Sequence, residues 1–140
     1  MGPPLRKEAF QSGKFVVELM EGKMEMIKSE HFAAVDVRDV AKAHLLAIKN
    51  PTAANRRFIL CAGNYSYHQY AAPIAAKYTP LGWPITTNLQ PANPEEKVTI
   101  FNNAASKELG IEYIDFAKTM TDMADAMVAL GSVVKPAAAQ

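Results

Sequence analysis

Residues 40–49 most constrain what this chain can fold into. Val40, Ala43, Leu46 and Ala47 fall on one side of a helix, and Ala41, Leu45 and Ile48 on the other. A helix with so broad an apolar face is built to sit between two layers. The run before it, residues 31–37, carries the β-branched and small residues of a short strand ending in Val35-Asp36-Val37. Arg38-Asp39 opens the helix, with Asp39 as the expected N-cap, and Asn50-Pro51 closes it. Asp36 and Arg38, two apart on a strand, would share a face and form a structural ion pair. A strand feeding such a helix implies an α/β chain.

The flanking segments extend that pattern. Residues 10–22 read as a helix with Ser12 as a possible cap, Phe15, Val16, Leu19 and Met20 as its apolar face, and Gly22 as its stop. Residues 23–30 mix Met24, Met26 and Ile27 with charges and fit no single element. Residues 57–61 form a nearly continuous apolar run, the pattern of a strand covered on both faces, and Gly63-Asn64 is the turn after it. Ser66 caps a helix over 67–77, with Pro73 inside it as the expected kink site. Residues 79–97 hold four of the nine prolines and form a long loop. Residues 98–101 read as a third short strand, and Asn103 caps a brief helix ending at Leu109-Gly110. Phe116, Met120, Met123, Met127 and Leu130 make one stripe of a final helix over 115–130. Residues 135–140 are expected to fray.

The chemistry-bearing residues are few. Fifteen basic against fourteen acidic residues leave a net charge of +1, which gives no support to a nucleic-acid binder. Cys61 stands alone, and three scattered histidines do not make a metal spacing, so neither a disulfide nor a metal site is expected. There is no apolar run long enough to span a bilayer and no secretion signal, which points to a cytoplasmic protein without membrane contact. No glycine-rich phosphate turn, nucleophile elbow or His-Glu-x-x-His occurs. His44 and Cys61 are better read as packing than as acid–base or nucleophilic groups. Tyr65, Tyr67, Tyr70 and Tyr78 suit helix packing at least as well as a ligand groove.

The run Val35-Asp36-Val37-Arg38-Asp39-Val40-Ala41-Lys42-Ala43-His44 resembles the C-terminal half of the extended short-chain dehydrogenase/reductases. The similar branch holds dihydroflavonol reductases, cinnamoyl-CoA reductases and methylglyoxal-type aldehyde reductases. Asn50-Pro51 with Arg57-Phe58-Ile59-Leu60, then Ser106-Lys107 with Leu109-Gly110-Ile111, resemble further family elements in register. Gly2-Pro3 is similar to the pair that follows a sheet strand at the nicotinamide end of the family's site. The resemblance implies a partial Rossmann-type fold: a C-terminal substrate-binding portion over 1–134 with few short strands and about five helices, and a disordered tail over 135–140.

It also implies NADP(H)-dependent reduction of an aldehyde or ketone. The family's Tyr-x-x-x-Lys pair is absent, because no lysine here has a tyrosine four residues before it. No residue is therefore expected to be catalytic, and the chain alone is not expected to bind the cofactor. By the resemblance, Gly2, Pro3 and Ser12 would lie beside the cofactor, and His31 and Ala33 would line the substrate pocket. The expected partners are a small carbonyl substrate and either a missing N-terminal half or a second copy. A non-catalytic α/β interaction module derived from such an enzyme is the alternative.

Overall fold

The computed structural model describes residues 1–8 and 10–137. Five helices and one two-stranded sheet make an α/β fold: α1 (Gln11–Met20), β1 (His31–Ala34), α2 (Val37–Lys49), β2 (Gly63–Ser66), α3 (Tyr67–Tyr78), α4 (Ala104–Glu108) and α5 (Phe116–Ala129). Short 3-10 turns follow α2 and α3.

The core lies where α3 and α5 pack together with α1. Its centre is Val16, Leu19 and Met20 from α1, Ile74 from α3, and Met120, Met123 and Met127 from α5, all essentially without solvent contact. The methionine stripe is therefore core, where flexible thioethers fill the gaps between helices. An aromatic seam crosses it. Tyr65 stacks on Phe116 with ring centroids 3.6 Å apart, and Tyr70 meets the same ring edge-on at 4.8 Å. Tyr78 packs edge-on against Trp83 and donates its hydroxyl to Asp125 at 2.6 Å. These tyrosines hold helices together.

Helix termini follow the local chemistry of the chain. Ser66 and Gln69 form a reciprocal capping box at the start of α3, which tolerates Pro73 in its interior. Asp115 caps α5 by accepting from the backbone N–H of Lys118. Two expected caps are corrected. Asp36, not Asp39, is the N-cap of α2, accepting from the N–H of Arg38. Asp39 lies inside the first turn, buried, and accepts from the N–H of Ile114 at 3.0 Å. Tertiary demand thus takes Asp39 away from capping. Ser12 is no cap either: α1 starts after Phe10, with no side-chain cap.

The strands depart most from expectation. β1 is shorter than the run 31–37, because its end is taken over by the cap of α2. It pairs antiparallel with β2 in the register His31↔Ser66, Phe32↔Tyr65, Ala33↔Asn64 and Ala34↔Gly63. The Gly63-Asn64 segment, expected as a turn, is thus strand, because ladder bonds outweigh weak intrinsic preference. Residues 57–61 and 98–101 form no strand. A strand exists only through a neighbour, and no described segment exchanges backbone ladder bonds with either run. α2 is likewise covered on one side only. Asp39 and Ala43 are its buried residues, whereas Val37, Leu45 and Ile48 remain 50%, 59% and 83% exposed. Near the other end, Lys135 donates to the carbonyl of Leu81 at 2.8 Å. The expected tail falls partly on residues 138–140, outside the described residues.

Candidate functional site

The first residues of the chain run beside the junction of β1 and α2. Met1 N donates to the Val35 carbonyl at 2.9 Å, and Val37 N donates back to the Met1 carbonyl at 2.8 Å, the pattern of a parallel bridge. This pairing sets Gly2 directly over the Asp36 carboxylate. Gly2 has φ of +112°, and a Cβ there would stand 2.9 Å from Asp36 Oδ1. Only glycine suits that combination of backbone and proximity.

Beneath Gly2 lies an ion network that ties α2 to α5. Arg38 donates from Nε to Asp36 Oδ1 at 2.9 Å, from Nη2 to Asp36 Oδ2 at 2.6 Å, and from Nη1 to Asp122 Oδ2 at 2.6 Å. Lys118 adds a second cation to Asp122. Burial alone would push the Asp36 carboxyl up. The hydrogen bonds from the Arg38 side chain and backbone, the Thr119 hydroxyl and the Arg38 charge together outweigh it and hold Asp36 at about 2. The carboxylates of Asp36 and Asp122 in turn hold the Arg38 guanidinium more firmly protonated. The expected ion pair is present, although it sits at a helix start and not along a strand.

Beside this network opens a cavity of about 780 Å³. Met1, Pro3, Leu5 and Phe10 supply apolar wall, Ser12 a hydroxyl, and α2 the exposed flank of Val37 and Ala41. Gly2, Pro3 and Ser12, the three positions expected near a cofactor, thus line one cavity. Arg6, Glu8 and Arg38 add charged groups to this mainly apolar wall. No glycine-rich turn contributes to it for a pyrophosphate.

His31 and Ala33 lie elsewhere, on the outer face of β1, away from that cavity. The His31 ring bonds through Nδ1 to Glu96 Oε2 at 2.9 Å, and its backbone N–H donates to Glu96 Oε1 at 2.8 Å. The two hydrogen bonds from His31 hold the Glu96 carboxyl below the usual carboxylate range. Glu96 carried no signal in the sequence, since it lies 65 residues from His31 in a proline-rich loop. The remaining candidates are structural. Cys61 is buried and donates to the Gly63 carbonyl, and the exposed His44 bonds back to the Val40 carbonyl of its own helix. Among the described residues, no cluster of His, Cys, Asp and Glu is grouped to hold a metal, and no helix is long and apolar enough to cross a membrane.

No family model matches the chain. Individual proteins do. Cinnamoyl-CoA reductase 1 of Arabidopsis thaliana is 32% identical over 123 residues, covering 87% of this chain and 35% of that protein. The ketoreductase azaE of Aspergillus niger is 32% identical over 98 residues, covering 69% of this chain and 29% of its own. Among solved structures, Gre2 of Candida albicans in complex with NADPH superposes with a TM-score of 0.68 at 24% identity, over 92% of this chain and 41% of Gre2. Yeast methylglyoxal/isovaleraldehyde reductase Gre2, complexed with NADPH, gives 0.68 at 20% identity, over 93% and 44%. The chain spans about a third of the length of the curated relatives it matches. In sequence and in fold its relatives are reductases of the extended short-chain dehydrogenase/reductase type, of which it covers a minor part.

Proposed function

We propose that this chain is the substrate-binding portion of an NADP(H)-dependent reductase that acts on an aldehyde or ketone. In this reading it is not catalytic by itself. A nucleotide-binding half supplies the glycine-rich turn and the proton-donating Tyr-x-x-x-Lys pair, and the bound cofactor supplies hydride. Gly2, Pro3 and Ser12 form one wall of the nicotinamide pocket, and His31 and Ala33 face the carbonyl substrate. The setting is cytoplasmic, consistent with the free, buried thiol of Cys61.

The observation that carries the proposal is the uncovered side of the fold. Val37, Leu45 and Ile48 of α2 are open to solvent, and the amides of residues 57–61, which run along the Ala43–Ala47 flank of the same helix, bond to no acceptor among the described residues. An open apolar helix stripe and an unpaired apolar run on one helix are what a larger sheet leaves behind when one side is missing. The large cavity at Gly2 opens along the same flank of α2, through Val37 and Ala41.

Co-expression with the N-terminal half of a cinnamoyl-CoA reductase tests the proposal. Restored NADPH binding and carbonyl-dependent NADPH oxidation are expected; restoration of neither overturns it. An immunoblot of the source cells adds a second check. The expected band is more than twice the mass of the 140-residue chain. A single band at the chain's own mass, with a dimer in solution, would favour instead a self-associating interaction module.

A further inference from the structure

The outer face of the β1–β2 hairpin, which carries His31, holds a contact to Glu96 that the reductase reading leaves without a role. The register places His31, Ala33, Asn64 and Ser66 on this face, while Phe32, Ala34 and Tyr65 point the other way. Residues 91–102 run across it. Between the bridge at Leu89 and the bond from Asn103 to the Cys61 carbonyl, two links hold this strap to the rest of the described chain. One joins Asn64 Nδ2 to the Thr99 carbonyl, and the other is the double bond pair of Glu96 to His31. Within 91–100, Glu96 is the one residue that is not exposed.

The two bonds made by Glu96 have different consequences. The one to the His31 backbone N–H fixes where the strap crosses the hairpin. The one to Nδ1 fixes the imidazole. A carboxylate only accepts, so Nδ1 must carry the proton, and in the neutral ring Nε2 keeps its lone pair. Nε2 has no bond partner among the described residues, and no unpartnered side-chain nitrogen or oxygen is buried there, so this lone pair meets solvent. The other two histidines are internal references. His44 Nδ1 meets the Val40 carbonyl, which also demands a protonated Nδ1, whereas His68 Nε2 meets the Ile27 carbonyl and demands the opposite tautomer.

We infer that Glu96 is a positioning residue: its carboxylate locks His31 in the Nδ1–H form, presenting Nε2 on the outer hairpin face as a hydrogen-bond acceptor for a hydroxyl-bearing carbonyl substrate. The substrate clause rests on the reading of His31 given above; the positioning does not.

The test is nitrogen-15 NMR of the histidine rings in the 140-residue chain, with His31 assigned by loss of its signals in His31→Gln. In the unmodified chain the Nδ1–H form of His31 is the major one. Glu96→Ala shifts the tautomer ratio towards Nε2–H by about tenfold or more, the scale of a lost charge-assisted hydrogen bond. The ratios of His44 and His68 stay unchanged. Glu96→Gln, which keeps an accepting oxygen, retains the Nδ1–H majority. In parallel, Glu96→Ala speeds amide exchange over residues 93–101 and leaves α3 and α5 unaffected. An Nε2–H majority at His31 in the unmodified chain, or a ratio indifferent to Glu96→Ala, overturns the inference. The co-expression assay reads turnover and this one reads a tautomer, so either can fail while the other stands.

Discussion

α5 and α2 are similar in their sequence and opposite in their surroundings. Both carry an apolar stripe at helical spacing, and both begin at an aspartate cap. In α5 the stripe of Met120, Met123 and Met127 is sealed by α1 and α3, whereas in α2 Val37, Leu45 and Ile48 face solvent. Amphipathicity therefore says that a face needs cover without saying what covers it. One side of this molecule is a finished core; the other is a surface of core-like composition, which soluble proteins rarely leave open over a large area.

The comparison breaks most sharply under truncation. Met123→Ala should destabilise the chain by ~2–5 kcal/mol through lost burial and the cavity left behind. Ile48→Ala should change it by no more than ~0.5 kcal/mol, as for an exposed site. Urea unfolding followed by circular dichroism checks both, and equal effects would erase the distinction. Joined to a nucleotide-binding half, the protein should become sensitive to Ile48→Ala, because the stripe is then covered.

The ion network beneath Gly2 gives the next effect. The Asp36 carboxyl is held at about 2, below the 3.8 of the unfolded chain. Its contribution to stability is therefore fully present above pH 3.8 and lost as pH falls through 3.8 towards 2. Asp36→Asn keeps a capping side chain but removes the charge that Arg38 faces, so the melting temperature should fall at pH 7 and depend less on pH between 4 and 2. A variant whose melting profile still tracks that of the unmodified chain would assign the acid sensitivity to other carboxylates.

A smaller loss is expected for Gly2→Ala, ~1–2 kcal/mol, from a side chain forced into positive φ against Asp36. It should leave α3 and α5 unperturbed in amide exchange, since the strain is confined to the α2 side of the fold. Smallest is Glu96→Ala, whose effect on global stability should stay within ~0.5 kcal/mol because Glu96 lies outside the buried core. Its signature is local, in the tautomer of His31 and the exchange of residues 93–101.

The helices were legible because their signals are local. The spacing of Phe116, Met120, Met123 and Met127, the Ser66–Gln69 pair and the Asn50-Pro51 stop all act within a few residues of chain. The cofactor-side candidates Gly2, Pro3 and Ser12 came only from family resemblance, and the structure gathers all three around one cavity. Glu96 could not have been read beforehand, since its meaning comes from a bond made across 65 residues.

By itself, then, the sequence determined the helices, the methionine core stripe and the Asp36–Arg38 pairing, each through contacts between near neighbours in the chain. Tertiary structure decided which segments are strands. Residues 63–66, rich in turn-forming residues, pair because β1 lies beside them, while the better strand sequence at 57–61 pairs with nothing. A helix closes its hydrogen bonds within itself, but a strand owes its existence to a neighbour that its own residues do not specify.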